Sequence, residues 1–172
     1  YDPNDKHTFP FGYEEPHYVD PNEEIEYLVR FQNTGTFQAF DILVRDTISE
    51  NLDLSTFELL TNSHNVQTNI NSNTREVQFF FENINIPDSN CCEPESNGFF
   101  SYQIRPLENL PHDTRIENTA HIFFDANPAI ITNTTWNTIF VCNDAFATFD
   151  GGITESCVNQ EVTFENAAEY FD

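Results

Sequence analysis

Short runs of alternating apolar and polar residues recur along this chain and constrain its fold more than any other feature. Residues 25–32 show the pattern most clearly, because every second side chain is large and apolar: Ile25, Tyr27, Val29 and Phe31. A period of two is that of a β-strand with one face in a core. Similar runs return about every ten residues, and no run keeps a helical period. The sequence therefore predicts an all-β chain.

Turn-forming residues separate these runs and indicate how they are connected. An Asn-Thr-Gly-Thr segment lies between residues 25–32 and 40–45, and Asn71-Ser72-Asn73 lies between residues 66–70 and 76–86. Such residues favour tight turns, so each pair of runs is predicted to be two strands with a tight connection, the second pair a hairpin. Residues 54–60 fit either a short helical turn or the onset of a strand. Many short strands with regular turns favour an immunoglobulin-like antiparallel β-sandwich.

The chain has 172 residues, enough for one domain with a hydrophobic core. The sequence pattern changes after Val141. Residues 1–141 are predicted to form the sandwich, with the Pro-, Asp- and Asn-rich residues 1–20 as an irregular entry segment pinned along one edge. Residues 142–172 carry two alternating runs around a Gly-Gly turn, and about 30 residues are too few for an independent core. We expect a C-terminal β-hairpin there, either the start of a partial second module or an arm that pairs with a neighbour.

The charge of the chain excludes several classes of partner. Six Lys and Arg stand against 29 Asp and Glu, which gives a formal net charge of -23. Such a field repels phosphate backbones and anionic lipid, so we expect no nucleic acid partner. No apolar run approaches the length of a membrane span, so we also expect no membrane insertion. The high aromatic content indicates that the acidic surface covers a folded body.

Four cysteines indicate an oxidised, extracellular setting. They are Cys91, Cys92, Cys142 and Cys157, and none forms the CxxC pair of a structural zinc site. Cys142 and Cys157 flank the Gly-Gly turn, where a disulfide could join two adjacent strands, and we predict that bond. Adjacent Cys91 and Cys92 either bridge each other in a local ring or each find a distant partner.

The usual catalytic motifs are absent from the sequence. There is no Gly-x-Ser-x-Gly elbow, no His-Glu-x-x-His helix and no phosphate-binding glycine loop. Ser63 and His64 are adjacent, and in a strand their side chains would point to opposite faces. We therefore expect a protein that is not an enzyme.

Oxygen-bearing side chains in two segments suggest a calcium site. They are Asp2, Asn4 and Asp5 near the start, together with Asp125 and Asn127. Calcium prefers such hard oxygen ligands, and an acidic extracellular protein meets calcium at about millimolar concentration. The alternative is structural: Asp-Pro-Asn is a capped turn, and the second segment is the end of a strand. Calcium is the only cofactor that we predict.

Lys6 is the only lysine of the chain and suggests a covalent cross-link. In pilus-like sandwiches a first-strand lysine can condense with an asparagine on a late strand, beside a buried acid, to give an isopeptide bond. Asn118 or Asn133 could supply the amide, and Asp125 or Glu117 the acid. Burial would lower the pKa of the lysine and make its amine nucleophilic. The alternative is a surface lysine paired with nearby carboxylates.

Two short strings suggest glycosylation. Asn133-Thr134-Thr135 forms an N-glycosylation sequon, and Asp46-Thr47-Ile48 is similar to an O-glycosylation signal of secreted Bacteroidetes proteins, with Thr47 as the acceptor. Either modification would place the chain outside the cell.

Several strings, in a fixed order, resemble one repeat-type domain. They include DPNDK at 2–6, RFQNTGT at 30–36, GFFSYQIRP at 98–106 and IENTAHIFFDANPAIITNT at 116–134. The domain is a β-sandwich module found in very large surface and secreted proteins of Bacteroidetes that use type IX secretion. The string CVNQEVTFEN at 157–166 is similar to the start of a PKD-like domain.

This resemblance implies a structural or adhesive module at the cell surface, acting as a spacer or assembly unit of an extracellular fibre. Its partners would be neighbouring domains or copies, through strand exchange, and surface glycans. Two alternatives remain from the sequence: a calcium-dependent carbohydrate- or protein-binding module, and an accessory domain of a secreted hydrolase.

Overall fold

The computed structural model describes residues 3–141, which contain twelve β-strands and one short 3-10 turn, Pro94–Ser96. In chain order the strands are β1 (Asp5–Phe9), β2 (Tyr18–Val19), β3 (Ile25–Gln32), β4 (Ile42–Thr47), β5 (Leu52–Asn62), β6 (Gln67–Asn71), β7 (Glu76–Phe81), β8 (Asn97–Pro106), β9 (Arg115–Asn118), β10 (Ala120–Phe124), β11 (Ile130–Ile131) and β12 (Thr135–Ile139). The all-β prediction is confirmed. Residues 142–172, with their predicted hairpin and second module, lie outside the described residues.

The strands form three sheets. The first has the order β1-β3-β8-β5 and the second the order β11-β10-β4-β7-β6, and all pairs in both are antiparallel. A small third sheet has the order β2-β12-β9, in which β2 and β12 are parallel. The described residues thus form an immunoglobulin-like antiparallel β-sandwich, as the sequence predicts.

The core lies between the first two sheets and is largely aromatic. The apolar face predicted for β3 is fully buried, and so are Val77, Phe79 and Phe81 of β7. Phe31 of β3 meets Phe81 with ring centroids 5.2 Å apart, and Phe79 meets Phe100 of β8 at 4.1 Å. Because these pairs join strands of different sheets, the rings hold the two layers together.

The connection between β3 and β4 joins the two sheets, so the prediction that these strands form one closely connected pair is wrong. β3 pairs with β1 and β8, whereas β4 pairs with β10 and β7. The Asn33 amide donates to the backbone oxygens of Phe37 at 2.8 Å and Ile86 at 3.2 Å, which fixes the crossing. An alternating pattern shows which face of a strand is buried, but it does not show which strand is its neighbour.

Two further segments differ from the sequence prediction. The sequence of residues 116–125 predicts one continuous strand, but the structure divides them at Thr119 into β9 of the third sheet and β10 of the second. The entry segment is more regular than expected, since β1 pairs with β3 from Asp5 opposite Arg30 to Phe9 opposite Glu26. β1 is an edge strand of the first sheet, which agrees with its predicted place at an edge.

Candidate functional site at a buried lysine

β1 carries its lysine into the core. Its exposure alternates, so that Lys6 and Thr8 face inward while His7 and Phe9 are exposed. The side chain of Lys6 is 0% exposed, an unusual state for a lysine. Burial of this amine requires polar partners inside the sandwich, because an isolated charge in an apolar interior is very costly.

The first partner is Asp46 of β4. It follows Ile42 and Val44 at the two-residue spacing of the buried face, and its side chain is also 0% exposed. Nζ of Lys6 donates a hydrogen bond to Oδ2 of Asp46. The second oxygen, Oδ1, has no hydrogen-bond partner among the described residues.

The second partner is Asn118, the last residue of β9 and almost fully buried. Its Oδ1 atom accepts a hydrogen bond from Nζ of Lys6 at 2.6 Å. The division of the chain at Thr119 places this amide at the end of one sheet while the following residues join another. The amide carbon therefore lies one bond beyond an atom that the lysine nitrogen already contacts.

Tyr102 of β8 connects the acid and the amide. Its hydroxyl donates to Oδ2 of Asp46 at 2.7 Å and accepts from Nδ2 of Asn118 at 3.1 Å. The same hydroxyl lies 3.2 Å from Nζ of Lys6. The rings of Tyr27 and Tyr102 cover the amine, with centroids 4.8 Å and 5.3 Å from Nζ. We call Lys6, Asp46, Tyr102 and Asn118 the lysine cluster.

The surroundings of the lysine cluster favour uncharged groups. Burial lowers the pKa of Lys6, although the adjacent Asp46 carboxyl opposes this shift. Burial, together with the nearby Asp46 charge, raises the pKa of Tyr27 and of Tyr102. The buried second oxygen of Asp46, which has no donor, adds to the cost of holding charge at this site.

The structure brings together some of the residues predicted for a cross-link and separates others. Lys6 and Asn118 are in contact, but Asp125 is not the acid of the site. Its Oδ1 atom accepts from the backbone nitrogens of Phe40 at 2.9 Å and Asp41 at 2.8 Å, in the turn after β10. Glu117 is exposed and pairs with Arg115.

Sequence reasoning missed Asp46, although a signal was present. Asp46 lies in phase with three buried apolar residues, Ile42, Val44 and Ile48, so the alternation itself placed an acid in the core. A charged residue at a core position is rare without a paired partner. The only lysine of the chain, on a strand of the same alternating type, was the available partner.

The described residues among those predicted for calcium are engaged in hydrogen bonds within the protein. Asp5 is engaged by Arg30, whose Nε donates to its Oδ1 at 2.7 Å, and Asn4 accepts from the backbone of Gln32 at 3.1 Å. Asn127 donates to the backbone oxygen of Phe124 at 2.9 Å, and Asp2 lies outside the described residues. Among residues 3–141, no group of three or more His, Cys, Asp or Glu side chains is placed to hold a metal ion. Calcium binding stays a prediction from the sequence.

The structure describes two of the four cysteines and both predicted glycosylation sites. Cys91 is bonded to its neighbour Cys92, one of the two arrangements left open by the sequence, while Cys142 and Cys157 lie outside the described residues. The Asn133 side chain binds the backbone of Lys6 through two hydrogen bonds of 2.9 Å, so its amide is already in use. Thr47 is exposed at the end of β4.

Ser63 and His64 do not point to opposite faces as expected, because β5 ends at Asn62. Oγ of Ser63 lies 2.8 Å from Nδ1 of His64. The same hydroxyl accepts from the backbone nitrogen of Phe99 at 2.8 Å and donates to its oxygen at 3.1 Å. These bonds continue the pairing between β5 and β8 by one residue, which gives the serine a structural role.

The fold is shared with bacterial surface domains of known structure. The structure superposes on the major pilin subunit BcpA of Bacillus cereus with a TM-score of 0.53 and 18% identity, covering 78% of this chain and 39% of that one. It superposes on the N-terminal domain of the Streptococcus gordonii adhesin Sgo0707 with a TM-score of 0.54 and 13% identity, covering 81% and 33%. It superposes on the C-terminal domain of the Streptococcus pyogenes antigen I/II-family protein AspA with a TM-score of 0.53 and 11% identity, covering 78% of this chain and 46% of that one.

These likenesses define the class as an immunoglobulin-like sandwich of the kind found in pilins and adhesins, and the chain spans half or less of those solved chains. A family model matches residues 2–138, and the chain belongs to that family, the domain of unknown function DUF7619. Comparison with curated proteins gives no match. Within the described residues, no helix is long and apolar enough to cross a membrane.

Proposed function

We propose that this chain is a structural module of a secreted or cell-surface protein, and that it keeps its shape under tension as a spacer or assembly unit of an adhesin or fibre. One observation carries the proposal: the buried side chain of Lys6 ties the first strand to Asp46 and Asn118, which lie 40 and 112 positions further along the chain. An edge strand without such an anchor is held only by its backbone pairing with one neighbour.

Further contacts tie the first strand to the last strand of the described unit. The side chain of Asn133, just before β12, accepts a hydrogen bond from the backbone nitrogen of Lys6 and donates one to its backbone oxygen, as a neighbouring strand would. Oγ1 of Thr8 donates to Oδ1 of Asn137 at 2.8 Å, and Nδ2 of Asn137 donates to the oxygen of Pro10 at 3.1 Å. A pull on the two ends of residues 3–141 therefore acts on these bonds together, before it reaches the aromatic core.

The fold of pilin and adhesin domains supports this role, and so does the acidic surface. A formal net charge of -23 favours solubility and discourages association with anionic cell envelopes. The wider assignment to large surface proteins exported by type IX secretion, with neighbouring domains or copies as partners, rests on the sequence resemblance. A non-enzymatic role is part of the proposal.

Single-molecule force spectroscopy tests the mechanical role. The full chain is pulled through handles at its two ends, and a second version of the same chain is pulled through handles at Ser72 and Glu108, both exposed turn residues. We expect a clearly higher unfolding force for the sandwich along the first direction. Equal or lower resistance through the ends would contradict a tension-bearing role, whether or not the chain contains a cross-link.

Antibody labelling of intact source cells tests the location. We expect surface label on unpermeabilised cells, with a cytoplasmic protein as the control for intactness. Label that is seen only after permeabilisation would contradict the assignment to the cell surface.

A further inference from the structure

We infer that Lys6 and Asn118 are joined by an isopeptide bond that forms within the folded chain without the help of an enzyme. Asp46 and Tyr102 transfer the protons of this reaction. This inference deepens the proposed function, because a covalent bond between β1 and β9 would make the anchor of the first strand permanent. Nothing in the likeness to other proteins is needed for it. The geometry of the lysine cluster carries it.

The first step is the approach of the nucleophile. Nζ of Lys6 lies 2.6 Å from Oδ1 of Asn118, so the amide carbon is one bond beyond an atom that the attacking nitrogen already contacts. Side chains held in contact by a folded core react as if at very high concentration, because the entropy of bringing them together has already been lost in folding. Amines and amides do not condense at a useful rate in water, and this positioning supplies a large share of the acceleration.

The second step is activation of the amine. An ammonium has no free electron pair, so Lys6 must first give one proton to Asp46, whose Oδ2 atom it contacts. Both groups are then neutral, which suits a site whose side chains are 0% exposed. The burial of Lys6, which lowers its pKa, acts in the same direction.

The third step forms and breaks the bonds. The electron pair of Nζ forms a bond to Cγ of Asn118, and the pair of the carbonyl double bond moves to Oδ1. A second proton leaves Nζ and reaches Nδ2 through Asp46 and the Tyr102 hydroxyl, which contacts both groups at 2.7 Å and 3.1 Å. The carbonyl re-forms, the bond from Cγ to Nδ2 breaks, and ammonia leaves.

The reaction balances without any added reagent. An ammonium, a carboxylate and a primary amide become a secondary amide, a carboxylic acid and ammonia, and nothing is oxidised or reduced. The remaining acid can hydrogen-bond to the new amide, so the buried polar groups keep partners after the reaction.

Intact-mass measurement of the reduced full chain tests the bond. We expect a mass about 17 Da below the sequence mass, from the loss of one ammonia. Trypsin provides the location, since it does not cut after an acylated lysine: residues 1–30 should remain in one piece and be joined to residues 116–172. An unshifted mass overturns the inference, and so does the recovery of residues 1–6 as a free peptide.

A succinimide at Asn97-Gly98 also loses one ammonia and is the main alternative source of the same mass change. Asn97→Gln serves as the matched control, because it removes that source and leaves the lysine cluster intact. We expect this variant to keep the loss. A mass that returns to the sequence value in Asn97→Gln overturns the inference.

Variants of the cluster test the role of each member. Asp46→Asn and Lys6→Arg should both show the full sequence mass, while Asn118→Asp should lose about 18 Da, because water leaves in place of ammonia. The loss of water from Asn118→Asp is a positive signal, and it requires a folded core that brings the two side chains together. Tyr102→Phe should cross-link more slowly, by at least about tenfold, in freshly made protein. A fully cross-linked Asp46→Asn protein would overturn the role of the acid.

The outcomes separate this inference from the proposed function. An uncross-linked chain that still resists tension along its ends leaves the mechanical role standing and removes the covalent bond. A cross-linked chain that yields easily, or that lies inside the cell, removes the mechanical role and leaves the chemistry.

Discussion

At the scale of single residues, the informative positions are the polar ones that occupy core sites. Lys6, Asp46 and Asn118 each stand where the alternation of their strand calls for an apolar side chain, and all three are nearly or fully buried. Replacing a buried ion pair by apolar residues of similar size is often neutral or stabilising. Stability alone therefore gives a weak reason for this trio, and a chemical role gives a better one.

Gly98 is constrained by space rather than by its backbone conformation. It lies opposite Phe31 in the pairing of β3 with β8, and a Cβ atom at this position would overlap the ring of Phe31. Phe31 is fully buried and packs against Phe81, so it has little room to move. We expect Gly98→Ala to lower the free energy of unfolding by about 1–3 kcal/mol, measured by urea denaturation.

Gly35→Ala is the control for this prediction. Gly35 is exposed, and an added Cβ would approach only Oδ1 of Asn33, at 3.0 Å. We expect Gly35→Ala to lower the free energy of unfolding clearly less than Gly98→Ala does. Equal losses at the two positions would show that the contact with the Phe31 ring is not the cause.

At the scale of elements, an ion pair between Asp5 and Arg30 connects the outer side of β1 to β3. Arg30 contacts both oxygens of Asp5, and His7 lies 3.1 Å from the same carboxylate. Burial alone would raise the pKa of Asp5, but hydrogen bonds from Arg30 and His7, together with their charges, hold it below its ordinary value. The pairing of β1 with β3 should therefore depend on pH.

The sign follows from the lowered pKa. A carboxyl that is more acidic in the folded state contributes stability above its unfolded pKa of about 3.9 and loses that contribution as the pH falls through the folded value. We expect Asp5→Asn to be less stable than the parent by about 1 kcal/mol at pH 7, and the difference to shrink below about pH 4. Urea midpoints at the two pH values measure it.

Glu50→Gln is the matched control, because it makes the same change of charge at an exposed position in the turn before β5. It should show little difference from the parent at either pH. A difference for Asp5→Asn that stays constant with pH would contradict the ion-pair explanation.

The elements also show what could be predicted from the sequence. The alternation in β3 and β7 identified both strands, and in β3 it also identified the buried face, since a period of two relates directly to the pleat. The partners of β3 and β4 could not be read in this way, because either side of a strand can pair with any other strand. The break at Thr119 was also hidden, because the alternation continues almost unchanged across it.

The same limits apply to the site. A single lysine in an acidic chain drew attention to Lys6, and Asn118 lay on a late strand as required. The acid was sought near Asn118 along the chain, whereas the fold supplies it from β4, 40 positions after Lys6. Contacts across a sandwich depend on which sheets face each other, and that information is not local in the sequence.

At the scale of the whole molecule, the cross-link would change how far the chain can extend. It would close a ring that spans 112 positions, and at about 3.5 Å per residue this ring withholds roughly 390 Å of extended length. In force spectroscopy we expect the parent chain to extend by that much less than Asn118→Ala when both are pulled through their ends. Equal extensions would mean that no covalent ring is present.

The closed ring has a second consequence, which concerns damage. A surface protein meets proteases, and one cut ordinarily divides a chain into two parts that can drift away. With Lys6 and Asn118 covalently joined, a single cut at any peptide bond between them opens the ring but leaves an unbroken covalent path from one end of the chain to the other. The exposed loops of the sandwich could then be nicked once without detaching whatever the module holds.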